Sequence, residues 1–457
     1  MTESSLNQRF STGGIRGLFL LFFPILLMTF SNCIFLLVEK LLLGRLSTQS
    51  MEAAVNVAYV CQISQGASVA IAMMAQVFIG RWYGSREWQA MGPGIWQFIW
   101  FAFLSMIITL PCSLIVGKWY FQGTIVEKIA LPYFYFLSSI NFLYPLGAAL
   151  SCFFVAQGKI HLVLWTTLGS QILKLLLAFI LIFGWESWIP SFGLLGGAIS
   201  TAVAQGGFCF ILLSIFLSKN HAKIYQSRAW RFQFRLFWDC IYIGFLRALN
   251  RILNFTSWAA IAFLMTRKGG DHLLILSLGG ALNLFLPFLG DAICQAQTTV
   301  VSQILGAKKY SLLNKAFRSG FILIIILIAL VSIPLLIFPC ETFHFLFPRV
   351  ILDELMIPRI FMGIWTSFAF LTFGYIPISY ILAYKDTHFS LFMGVVNWIN
   401  GYLLMYIAIE KISIAAEQFW LVLTLMHATT ALLYLWRMKY LQKRSLRMVE
   451  ISTPALS

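Results

Sequence analysis

The sequence predicts an all-α polytopic membrane protein, with about twelve transmembrane helices in two pseudo-symmetric six-helix bundles around a central cleft. Three observations point there. Of 457 residues, 60% are hydrophobic and 11% charged, with a mean hydropathy of +0.85, which leaves too little polar surface to cover a soluble globule. Apolar runs of membrane-spanning length recur along the whole chain. Helix exits with the same punctuation fall at corresponding places in its two halves.

Taken in order, the runs cover residues 17–43, 53–80, 95–117, 130–156, 161–184, 192–218, 243–266, 273–304, 317–339, 355–383, 389–409 and 414–436. Each reaches the roughly 20 apolar residues that a helix needs to cross a bilayer, whereas an outer-membrane barrel would show short alternating segments. The first run exceeds a signal-peptide core and precedes no small-residue cleavage site, so it is expected to stay as a helix behind a cytoplasmic amino terminus. Lys and Arg crowd the segments that this topology places inside, so both termini are expected on the cytoplasmic side of the cell (inner) membrane. The net charge of +16 then expresses this bias together with attraction to the anionic lipid bilayer, and implies no nucleic-acid partner. Eight cysteines stand singly without a CxxC, and six histidines are dispersed without an HExxH, so no metal site is expected. A membrane-embedded enzyme would need His, Asp, Ser or Cys clustered in the spans, and no such cluster is visible.

The longest cytoplasmic loop carries Lys219, Lys223, Arg228, Arg231 and Arg235 and splits the spans six and six. The expected domains are an N-terminal bundle over 1–218, a basic linker over 219–239, and a C-terminal bundle with a basic tail over 240–457. The second run ends in Gly84-Ser85-Arg86-Glu87 and the eighth in Gly306-Ala307-Lys308-Lys309, 222 positions later. The fourth runs into Ala156-Gln157-Gly158-Lys159-Ile160-His161 and the tenth into Ala383-Tyr384-Lys385-Asp386-Thr387-His388, 227 positions later. Two hits at nearly one offset favour a duplicated unit. Six spans per copy keep both copies in one orientation, as in transporters built on parallel repeats. One chain suffices for such a fold, so a monomer is expected.

Ionisable residues inside spans cost roughly 2.5 to 3.5 kcal/mol each on insertion scales, and they usually line a pathway or pair with a counter-charge. Glu39 interrupts the first apolar run; it either marks the end of that helix beside Lys40 or acts within the membrane. Lys174 lies about 20 Å into the fifth run at 1.5 Å per residue, too deep to snorkel easily. Arg247 and Arg251, four residues apart, share one face of the seventh helix, with Asn250 and Asn254 as a second such pair beside them. Arg247 lies near enough to the cytoplasmic interface to snorkel. Arg251 lies deeper, and Asp291 in the eighth span is a candidate counter-ion; the two either pair for structure alone or form a cationic face for an anionic ligand.

Several segments resemble landmarks of the multidrug and toxic compound extrusion (MATE) transporters, part of a wider superfamily of multidrug, oligosaccharidyl-lipid and polysaccharide flippases. The first helix has Pro24 and then Val38-Glu39-Lys40-Leu41-Leu42-Leu43-Gly44-Arg45-Leu46, similar to that family's pattern of valine, aspartate, threonine, three apolar residues, glycine, arginine and leucine. Ala53 and Ala54 stand where the family has an alanine pair, and Ala75-Gln76 followed by Gly84 resembles its second-helix exit. The stretch from Phe192 to Thr201 resembles the start of its sixth helix, while Thr298 to Lys309 and Tyr384-Lys385-Asp386 resemble the exits of its eighth and tenth. The resemblance covers nearly the whole chain.

It implies a secondary active antiporter that exports small organic, often cationic, compounds by alternating access. No cofactor is implied, and the acidic residue of the first helix carries the coupling ion, H+ or Na+. Here that position is Glu39. Thr201 joins the implied ion-coupling set, although a threonine inside a span also bonds readily to its own helix. Where the family has an asparagine and, one turn on, an aspartate or asparagine in its fifth helix, this chain has Lys174 and Ala178. An ammonium there would repel Na+ and could pair with Glu39, which makes H+ the expected coupling ion. In the second half, positions that are acidic in sodium-coupled members correspond to Asn254 and Leu371. The ion-coupling candidates are thus Glu39, Lys174 and Thr201, and the substrate-cleft candidates Arg251, Asn254, Arg247 and Asp291. The rival reading within transport is a lipid-linked precursor flippase or an exporter of an anionic metabolite, because basic cavities suit diphosphate headgroups.

Overall fold

In lipid every backbone N–H and C=O must bond inside its own segment, which makes apolar runs of this length helices. The computed structural model, which describes residues 13–452 apart from 186, 187, 284, 349 and 351, folds them so. The helices are α1 (Ile15–Leu46), α2 (Thr48–Ala72), α3 (Ala75–Ser85), α4 (Trp88–Phe121), α5 (Glu127–Ser139), α6 (Leu143–Ala156), α7 (Ile160–Phe183), α8 (Leu194–Phe216), α9 (Lys219–Tyr225), α10 (Phe234–Lys268), α11 (Gly270–Asn283), α12 (Leu286–Gly306), α13 (Leu312–Ser332), α14 (Pro339–Leu346), α15 (Met356–Ala383), α16 (Thr387–Tyr406) and α17 (Phe419–Ser452). Among the described residues, eleven stretches are long and apolar enough to cross a membrane; α2 with α3, α5 with α6, and α11 with α12 each make one broken span. The expected seventh span, 243–266, lies within α10. That helix has 35 residues, but Arg247, Asn250, Arg251 and Asn254 dilute its apolar character below that of the other eleven.

The chain divides into two compact units, one of Leu27–Ala248 and one of the residues up to Leu26 together with those from Leu249 onward. These boundaries differ from the expected 1–218 and 240–457, for reasons visible in each unit. Leu18, Leu21, Phe22 and Ile25 form a buried stripe at helical spacing, and the Ser319 hydroxyl of α13 donates to the Gly13 carbonyl at 2.9 Å, so the start of α1 belongs with the later helices. The linker belongs with the earlier ones: the indole of Trp96 in α4 donates to the Ser227 carbonyl at 2.7 Å. Gly244 in α10 brings that helix against Ile71, whose Cα would stand 3.0 Å from a Cβ at position 244.

The repeated punctuation is the same turn, bond for bond. After α3, Arg86 takes a left-handed φ of 63° and Glu87 N–H closes on the Trp82 carbonyl at 2.9 Å. After α12, Lys308 has φ 55° and Lys309 N–H closes on the Ile304 carbonyl at 3.1 Å. The second pair behaves alike: Gly158 (φ 79°) precedes Lys159 N–H to the Phe154 carbonyl at 2.9 Å, and Lys385 (φ 61°) precedes Asp386 N–H to the Ile381 carbonyl at 3.0 Å. These bonds satisfy orphan carbonyls at a helix end, and each pair keeps the offset read from the sequence.

Candidate functional site

Within the unit Leu27–Ala248, α1 and α7 run side by side, and polar residues join them. Thr167 faces Met28, Gln171 donates its amide N–H to Asn32 Oδ1 at 2.8 Å, and Lys174 Nζ donates to Glu39 Oε2 at 2.6 Å. The last of these is an ion pair with 19% and 9% of the two side chains exposed. The pairing that the sequence raised is therefore formed. Hydrogen bonding between the charged partners shortens and strengthens such a contact, and removing one partner would strand the other charge in a poorly solvated place.

Packing explains how these side chains meet. Gly196 in α8 lets the backbone of α7 approach so closely that a Cβ would stand 2.5 Å from the Leu181 carbonyl oxygen, and a Cβ on Gly197 would reach Glu39 Oε1 at 4.0 Å. Glycine is thus required at 196 by proximity. Ala178, the second fifth-helix position, is fully buried in the apolar cluster of Leu43, Ala54, Val57, Phe134 and Ile182, so no second oxygen ligand stands there. Thr201 is buried, but its hydroxyl donates to the Gly197 carbonyl of its own helix at 2.9 Å. In this structure Thr201 bonds within its helix.

Two residues that the sequence reading passed over belong to this neighbourhood. Tyr133 and Tyr144, on the two halves of the broken span α5–α6, lie within electrostatic reach of Glu39. Between those halves Asn141 is 2% exposed. Nothing local in the sequence marks the two tyrosines, because they come within reach of Glu39 only through the packing of separate helices.

The substrate-cleft candidates fall on both sides of the boundary between the two units, which lies within α10. Arg247 falls in the first-described unit, where its guanidinium lies 3.6 Å from Met74 Sδ. Arg251, Asn254 and Asp291 fall in the other. Arg251 is exposed and stacks over the Phe255 ring at 5.6 Å. Asp291 accepts from the Gln295 amide at 2.9 Å, and among the described residues no ion pair joins it to Arg251. Of the two alternatives, the Arg251–Asp291 ion pair is not the one made; both lie within electrostatic reach of the Tyr375 phenol, whose ring packs on Gly290. Asn254 donates to Asn250 Oδ1 at 3.3 Å, and Asn250 donates to the Ser390 hydroxyl at 3.1 Å, a polar chain linking α10 to α16. His427, half-buried in α17, has no hydrogen-bond partner among the described residues.

All eight cysteines are free thiols, and among the described residues no three His, Cys, Asp or Glu side chains are grouped to hold a metal. No protein-family profile matches the chain, and no curated protein matches it by sequence. Solved structures do match. An outward-facing multidrug resistance MATE family transporter of the MOP superfamily superposes with a TM-score of 0.84 at 13% identity, covering 96% of this chain and 99% of that one. The chain has the MATE transporter fold. A eukaryotic MATE transporter gives a TM-score of 0.76 at 17% identity over 94% and 98% of the two chains. A MOP superfamily transporter from Pyrococcus furiosus gives 0.79 at 13% identity over 96% and 98%. At such identities the likeness establishes the MATE fold over 94–96% of the chain, while the roles of single side chains rest on their own geometry.

Proposed function

We propose that this chain is a proton-coupled secondary antiporter that exports small organic, often cationic, compounds across the cell membrane by alternating access. The observation that carries the reading is the 2.6 Å pair of Lys174 and Glu39. Protonation of Glu39 from the outer side removes its charge and releases the Lys174 ammonium, which then needs water or a substrate group as partner, because an unpaired buried charge is costly. Loss of that proton to the inner side restores the pair. Proton uptake and pair breaking are thus one event, and each turnover exchanges a proton for substrate. An ammonium at hydrogen-bond distance already neutralises the carboxylate and would repel a coupled Na+, which favours H+.

The test is exchange in proteoliposomes carrying an internal pH dye. Adding an exported compound should change lumenal pH with the native chain, and Glu39→Gln should abolish the change. Exchange of native size in Glu39→Gln would overturn the assignment.

A second reading, an anionic substrate, is favoured by one feature: Arg251 is exposed and lacks an ion pair among the described residues. The Pyrococcus furiosus transporter of this fold is described by the reverse polarity of its binding pocket, suggesting a different function for that protein. Thermal-shift screening of organic cations against organic phosphates and carboxylates separates the two readings, since Arg251→Gln should weaken stabilisation by anions and spare that by cations.

A further inference from the structure

The linker from α9 into α10 is a fixed surface. His221 of α9 is buried, 3.3 Å from Lys159 Nζ and 2.6 Å from the Ile215 carbonyl. Downstream, the indole N–H groups of Trp96 and Trp100 donate to the carbonyls of Ser227 and Trp230 at 2.7 and 3.0 Å. The Gln97 amide donates to the Arg231 carbonyl and accepts from the Gln233 N–H, both at 3.1 Å. Gly92 admits the backbone so closely that a Cβ would stand 2.2 Å from the Tyr225 carbonyl oxygen.

With its backbone pinned to α4, this segment turns outward every side chain from Trp230 to Arg235. Trp230 is 63% exposed and Phe234 69%, with Phe232 and Trp238 also open. The exposure is therefore built in. Arg231 and Arg235 make no ion pair or side-chain hydrogen bond among the described residues, and Arg228 gives one bond, to the Leu217 carbonyl. No Asp or Glu occurs between Lys219 and Trp238. Aromatic rings favour the headgroup level of a bilayer, and guanidinium groups beside a span attract anionic headgroups and bind phosphate oxygens in a fork. The segment continues directly into α10, whose 35 residues exceed the length that a crossing requires.

We propose that residues 228–238 are a docking surface for anionic phospholipid, with Trp230, Phe232, Phe234 and Trp238 seated at headgroup level and Arg228, Arg231 and Arg235 on lipid phosphates. A protein partner would have to match this cationic, acid-free strip while lying against the membrane; anionic lipid meets both conditions already. The inference stands independently of the transported compound.

The full chain is reconstituted in phosphatidylcholine membranes with spin-labelled phosphatidylglycerol or spin-labelled phosphatidylcholine as reporter, and the motionally restricted fraction of each is measured. Phosphatidylglycerol should associate several-fold more than phosphatidylcholine. The triple variant Arg228→Gln, Arg231→Gln, Arg235→Gln should bring that ratio close to one, with thermal unfolding unchanged because all three side chains are exposed. A control pair on the carboxyl-terminal helix, Lys443→Gln with Arg444→Gln, should keep most of the preference. Equal association of both lipids with the native chain overturns the proposal. So does a preference that survives the triple variant, as a protein-binding strip would allow, or one lost equally in the control. Added inorganic phosphate should leave the preference in place; its displacement by phosphate would mark a soluble-anion site and overturn the lipid assignment.

Discussion

Glu39 and Lys174 form the ion pair on which the proposed proton coupling turns, and their interaction is measurable as a coupling energy. Lys174→Met leaves a mostly buried carboxylate without its partner and should cost about 3–5 kcal/mol of stability. Combining it with Glu39→Gln removes both charges and should recover most of that loss. A double-mutant cycle on thermal unfolding reads the difference, and additive effects would show the two side chains to be independent. The pair was legible in the sequence because a charge in an apolar run stands out by itself. Tyr133 and Tyr144 were not legible, since phenols are common in spans and only packing brings them within electrostatic reach of Glu39. For Arg251 and Asp291, opposite charge made a pair plausible in sequence, but the Asp291 carboxylate instead accepts from Gln295 one turn along its own helix.

At the scale of single elements, glycine placement and left-handed turns decide the geometry. Gly196→Ala forces a methyl to within 2.5 Å of the Leu181 carbonyl oxygen, where backbone cannot yield cheaply, and overpacking of this kind costs typically about 1–3 kcal/mol. The neighbouring Gly197→Ala meets its nearest atom at 3.9 Å and should change stability little. Melting temperatures of the two variants in detergent check the contrast, and impaired exchange in Gly196→Ala would tie the α7–α8 contact to the Lys174–Glu39 pair. The repeated turns offer a second check. Arg86 sits at φ 63° and Lys308 at φ 55°; Gly at either position should be tolerated, whereas Val should cost about 1–2 kcal/mol from the left-handed backbone. The sequence showed where these turns lie through matching Gly and basic residues, but the hydrogen bonds that make them equivalent became visible only in three dimensions.

For the molecule as a whole, the proposed coupling to H+ is the property that would set this chain apart from sodium-driven transporters of the same fold. With Lys174 bonded to Glu39 and Ala178 buried among apolar side chains, the oxygens that would strip a sodium ion of its water are few. Transport should therefore respond to a pH gradient and stay unchanged when Na+ is replaced by an inert cation, and a flux that collapses without Na+ would refute the proton assignment.

The order of the apolar helices, the helical class and the repeated turns follow from the sequence by itself, because hydrophobic length and turn chemistry are local properties that lipid enforces on each segment separately. Tertiary structure decided the rest. Which side chains meet, and where within α1 and α10 the chain passes from one compact unit to the other, depends on close approaches such as those at Gly196 and Gly244, and on hydrogen bonds between residues more than a hundred positions apart.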